Sequence, residues 1–138
     1  MKHLFTTAAF LLAIISASSA QPVKDKRPRP GSDRDAHGCK ASAGYTFSAL
    51  KRHCIRLFEQ PLQLQEISNR KSYNADATVI FSDDNKRAEV FIPGTRSGVI
   101  LVRTGKQGSF IWQKGDLSLL QRNGYVLKQN GKTIFAGK

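Results

Sequence analysis

Past Pro61 the chain breaks into eight short runs of aliphatic, β-branched and aromatic residues, separated by segments too short to hold a crossover helix. The runs cover 62–67, 77–82, 88–92, 99–104, 109–113, 117–121, 125–129 and 133–136. Between them stand Asp83-Asp84-Asn85-Lys86, Pro93-Gly94, Gly105 to Gly108, Lys114-Gly115-Asp116, Asn123-Gly124 and Asn130-Gly131, which are turn residues. An Asn-Gly pair tolerates the positive φ angles of a tight hairpin. Strands joined this closely pair antiparallel, because a parallel pair needs a connection of a dozen residues or more. The pattern predicts an α+β, mostly β fold: an antiparallel meander of seven or eight strands, closed into a small barrel or a curled sheet.

The α component rests on 46–59. Phe47, Leu50, Cys54, Leu57 and Phe58 recur at three- and four-residue spacing, and at about 100° per residue Arg52 and Arg56 fall on the opposite side. Thr46 suits an N-cap and Pro61 a stop. This spacing predicts one amphipathic helix packed on the sheet.

The N-terminus has the layout of a secretory signal peptide over 1–20. Lys2 and His3 precede an apolar run from Ala8 to Ile15, and small residues from Ser16 to Ala20 form a cleavage region. The first cysteine is Cys39, so no lipid-accepting cysteine follows that region. No internal stretch approaches the roughly 20 apolar residues of a membrane-spanning helix. These features predict a secreted or periplasmic protein. Residues 21–36, rich in Pro and basic side chains, read as a flexible tether, and 37–138 as a single domain.

In that compartment Cys39 and Cys54 read as a disulfide that fastens the approach segment to the next element. A zinc site from His37, Cys39, His53 and Cys54 is the sharper alternative, and two buried free thiols the blander one. Adjacent His53 and Cys54 would point about 100° apart on a helix, which disfavours a shared metal.

The sequence carries no nucleophile elbow, zinc-protease helix or phosphate loop. Most of its acids sit in turns or on the outward phase of strands, so no acid/base pair can be named and neither metal nor cofactor is implied. Of Phe81, Phe91, Phe110, Trp112, Tyr125 and Phe135, most alternate in phase with aliphatic neighbours, which favours core packing over a base-stacking platform for nucleic acid. Trp112 alone is ambiguous in facing. What stands out is charge. The chain has a formal net charge of +12, and beyond residue 36 sixteen Lys and Arg face seven acids. Such a surface attracts anionic polymers and acidic proteins. Arg52, Arg56, Arg96, Arg103, Lys106 and Lys114, on the helix face and in turns, are the candidate ligand-binding residues.

The stretch from Gly38-Cys39 through Ser42-Ala43-Gly44-Tyr45-Thr46-Phe47-Ser48 to Cys54-Ile55-Arg56-Leu57-Phe58-Glu59 resembles small exported proteins of Bacteroidota-type Gram-negative bacteria, a group with no assigned chemistry. The likeness continues through Ala88 to Pro93 and Tyr125 to Lys128. At the level of architecture the chain is also similar to periplasmic lysozyme inhibitors, which are small, disulfide-containing antiparallel barrels. Those carry Ser-Gly-x-x-Tyr-like and Tyr-x-x-x-Thr-Lys-Gly-like motifs on loops that enter the lysozyme cleft. The nearest counterparts here are Ser42-Ala43-Gly44-Tyr45 and Thr104-Gly105-Lys106, both out of pattern. A basic lysozyme would also be repelled by a chain this basic. The sequence thus favours a non-enzymatic exported binding domain for an anionic envelope component or acidic protein. A lysozyme inhibitor is the alternative, and a cell-wall-sugar enzyme a further one.

Overall fold

The computed structural model describes residues 33–67 and 75–137. The expected signal segment, 1–20, and most of the tether, 21–32, lie outside the described residues. Asp33 to Ala36 fold back on the next turn: Asp35 Oδ1 accepts the amides of His37 and Cys39, and Asp33 Oδ2 accepts that of Ser42.

Strands β1 (Tyr45–Ser48) and β2 (His53–Arg56) form a separate antiparallel hairpin. The next eight are β3 (Leu62–Glu66), β4 (Asp76–Phe81), β5 (Arg87–Phe91), β6 (Val99–Thr104), β7 (Ile111–Lys114), β8 (Leu117–Gln121), β9 (Tyr125–Gln129) and β10 (Lys132–Gly137). Each pairs antiparallel with its successor, and β10 returns to β3 to close a barrel. Closure leaves no unpaired sheet edge in the barrel, and eight strands enclose a space that side chains can fill. Here Leu64, Val79, Val90, Leu101, Leu119 and Leu127 fill it, with Trp112 and Phe135. Trp112 therefore points inward. Asn123 and Asn130 take positive φ ahead of Gly124 and Gly131, so both Asn-Gly pairs make tight hairpin turns.

The expected helix over 46–59 is absent. Among the described residues the helical segments are two three-residue 3-10 turns, Ala41–Ala43 and Leu57–Glu59. Tyr45, Thr46 and Phe47 belong to strand-favouring types. Arg52 adopts φ 61°, which ends any right-handed helix there. The apolar spacing that imitated a helix serves separate purposes: Leu50 and Leu57 pack with Ile55 against Ile80 and Phe91 on the outer face of β4 and β5. Phe47 stacks on His37 at 3.8 Å between ring centroids, and Phe58 is exposed.

Cys39 and Cys54 form a disulfide with a Cα–Cα distance of 5.6 Å. The zinc alternative falls, since both thiols are consumed. A bridge across 15 residues stabilises by about 3 kcal/mol in the chain-entropy model. Replacing both cysteines by alanine should lower the unfolding free energy in urea by about that amount, and an unchanged midpoint would mean that the hairpin holds without the bridge.

Candidate functional site

Because every barrel strand reverses direction, alternate turns gather at the same end. Turns 82–86, 105–110 and 122–124 form one mouth, and turns 92–98, 115–116 and 130–131 lie at the other. Just inside the first mouth Phe81 lies 5.0 Å from Trp112 and 5.4 Å from Tyr125, with Phe110 6.3 Å from Trp112. The indole Nε1 donates to the Asn85 carbonyl at 2.9 Å, which ties the β4–β5 turn across this mouth. Arg103, register partner of Trp112, lays its guanidinium 4.2 Å over the Phe110 ring. Contacts of this kind are worth roughly 0.5–2 kcal/mol and hold the cation in place while leaving its charge unneutralised.

The turns surround this aromatic floor with positive charge: Lys86 from 82–86 with Arg87 at the start of β5, Lys106 from 105–110, and Arg122 from 122–124. The tip of the β1–β2 hairpin adds Lys51 and Arg52. Two carboxylates stand among them, and both are engaged. Asp83 Oδ1 pairs with Lys51 Nζ at 2.9 Å. Asp84 accepts the Ser82 hydroxyl and then the Lys86 amide, and these hydrogen bonds, the hydroxyl first, hold its carboxyl below the usual range. Arg52, Lys86, Arg87, Arg103, Lys106 and Arg122 have no ion-pair partner among the described residues.

A carboxylate that sequence reasoning placed outward holds the hairpin tip here. Glu89 does lie on the outward phase of β5, but the hairpin covers it and leaves it 1% exposed. It accepts the Ser48 hydroxyl, the Ala49 amide at 3.0 Å and the Leu50 amide at 3.1 Å. The Lys51 amide in turn donates to Ser48 Oγ at 3.0 Å. Gly98 leaves the room: a Cβ there would stand 2.6 Å from Glu89 Cγ. Nothing local marks this latch, for Ser48 and Glu89 are 41 residues apart.

Of the candidate residues, Arg52, Arg103 and Lys106 share the aromatic mouth, whereas Arg96 and Lys114 sit at the opposite end. Arg56 lies on the hairpin, its Nη1 donating to Glu59 Oε1 at 2.9 Å and its guanidinium 4.6 Å over Tyr45. Lys86, Arg87 and Arg122 were missed. The signal was present, since each flanks an alternate turn of the meander. Ser42 to Tyr45 and Thr104 to Lys106 do not converge: Thr46, beside the first, lines a depression with Pro93 and Gly94 of the far end. The Ser-Gly and Lys-Gly pairs that do share an end are Ser97-Gly98 and Lys114-Gly115.

Among the described residues no group of three or more His, Cys, Asp and Glu could hold a metal ion, and no helix is long and apolar enough to cross a membrane. Family models, curated proteins and solved structures give no match to this chain. Its own geometry is what speaks for a function.

Proposed function

We propose that this protein is a non-enzymatic, exported binding barrel whose cationic aromatic mouth holds an anionic envelope component or the acidic surface of another protein. The observation that carries this reading is the gathering of cations without an ion-pair partner among the described residues, from three barrel turns and the hairpin tip, around one end. Convergent like charge is a cost to folding that a bound anion relieves. A non-enzymatic role is supported by the disposition of the acids: buried Glu89 is filled with donors, and Asp83 and Asp84 are engaged in their turn.

Titration with polyphosphate, followed by the fluorescence of Trp112, tests the proposal. Affinity should fall steeply as salt rises. Arg103→Glu combined with Lys106→Glu should weaken binding by about tenfold or more, equivalent to about 1.4 kcal/mol. Arg96→Glu with Lys114→Glu at the far end should change it by less than about twofold, on the same scale. Equal losses from both pairs would reduce the mouth to a share of a diffuse charge.

A lysozyme-inhibitor reading draws on the opposite end. Ser97-Gly98 and Lys114-Gly115 lie on two of its turns in a closed antiparallel barrel, although Leu101 replaces the motif's tyrosine and is buried. Arg96, Lys114 and Lys132 alternate there with Glu66, Asp76 and Asp116, so the described part of this end lacks the single-sign field that would repel a basic lysozyme. Inhibition of lysozyme that survives physiological salt and is lost in Lys114→Glu would establish this reading, and its absence would end it.

A further inference from the structure

The mouth adjoins an apolar surface that charge alone does not explain. On the outer wall, cross-strand register sets Ile111 beside Leu120, Leu120 beside Val126, and Val126 beside Ala136. Val102, also outward, stands opposite Arg87 and is 55% exposed. The outward apolar residues of β4 and β5, Ile80 and Phe91, are covered by the hairpin. Ile111, Leu120 and Val126 are half-buried and belong neither to the barrel core nor to the cluster under the hairpin. The row lies level with the mouth: Val102 precedes Arg103, Ile111 follows Phe110, and Val126 follows Tyr125. One end of the barrel thus presents cations, half-exposed aromatic rings and an apolar flank together.

We infer that the anionic partner is a lipid surface, with Arg52, Arg87, Arg103, Lys106 and Arg122 on its phosphates and the flank of Val102, Ile111, Leu120 and Val126 against the acyl boundary. The inference rests on the proposed anion-binding role of the same mouth. A soluble polyanion would use the cations and leave the apolar flank idle. A second copy of this chain would bring two cationic mouths together, opposed by the charge each carries. Amphipathic surfaces that pair Lys and Arg with apolar and aromatic side chains bind at anionic lipid interfaces, and aromatic rings favour that depth. Binding is peripheral, because these strands have four to six residues and a spanning strand needs roughly 9–11.

Co-sedimentation with phosphatidylcholine vesicles, with and without phosphatidylglycerol, tests the inference when run beside polyphosphate titration of the same samples. Binding is expected only to the vesicles containing phosphatidylglycerol. Val102→Asn, which removes the aliphatic side chain without setting a charge opposite Arg87, should weaken vesicle binding by about tenfold, the scale of burying one aliphatic side chain, with polyphosphate affinity within about twofold of the parent. Leu120→Asn provides a second variant on a neighbouring strand with the same expected split. Polyphosphate binding without vesicle binding, or vesicle binding indifferent to both substitutions, would overturn the lipid inference and leave the anion-binding mouth standing. Failure to bind either probe would remove both.

Discussion

Glu89→Ala should destabilise the protein by about 3–5 kcal/mol, since it leaves three donors without their acceptor at about 1–3 kcal/mol for each that stays buried. The substitution strips an acceptor from the Ser48 hydroxyl and from the amides of Ala49 and Leu50 together. The Ser48 hydroxyl then keeps only the Lys51 amide that donates to it, and the Ala49 and Leu50 amides lose the acceptor they share. Water must then enter between the hairpin and β5, exposing Ile80 and Phe91. Urea unfolding would show the loss as a lower midpoint, and amide exchange at Ala49 and Leu50 should quicken beyond the global change. Glu89→Gln, which keeps one oxygen acceptor and the shape, should cost about 1–3 kcal/mol. Gly98→Ala attacks the same place from the far side, with a Cβ 2.6 Å from Glu89 Cγ and 2.9 Å from Phe91 Cε1, and overpacking of this kind costs about 1–3 kcal/mol. If Glu89→Ala cost less than about 1 kcal/mol, the hairpin would be held on the barrel by its apolar contacts alone.

That latch marks where local reading of this sequence stops. The meander was legible because period-two alternation and turn chemistry are properties of neighbouring residues. The strands Val99–Thr104, Leu117–Gln121 and Tyr125–Gln129 begin and end where alternation and turns put them. Barrel closure was left open between a barrel and a curled sheet, since it depends on Phe135 meeting Glu66 across the length of the domain. The false helix arose because Phe47, Leu50, Cys54, Leu57 and Phe58 happen to keep helical spacing while serving a ring stack, an outer cluster, a disulfide and an exposed site. The hairpin is instead held by a carboxylate on β5, 39 to 41 residues further along, a contact that no local spacing announces. The candidate site divides in the same way. Charge excess and turn positions could be read directly, but sorting Arg103 and Lys106 from Arg96 and Lys114 required knowing which turns share an end.

Trp112→Ala should cost about 3–5 kcal/mol, as large aromatic truncations in closed cores do. Trp112 is 3% exposed, in a barrel whose interior leaves no second layer to collapse inward. Its loss removes ring contacts with Phe81, Phe110 and Tyr125, and it orphans the Asn85 carbonyl that the indole N–H satisfies at 2.9 Å. Trp112→Phe separates the two effects: it keeps an aromatic body and loses the hydrogen bond, so it should cost about 1–2 kcal/mol, most of it from the unpaired carbonyl and the smaller ring. Because Asn85 belongs to the turn that carries Lys86 and Arg87, the phenylalanine variant should also loosen that turn and weaken polyphosphate binding while the barrel stays folded. Circular dichroism in urea reads the stability of both variants, and calorimetric titration replaces fluorescence, since this tryptophan is the chain's single one. A phenylalanine variant with parental anion affinity would show that the β4–β5 turn keeps its place without the indole, and that the mouth is organised by Arg103 on Phe110 instead.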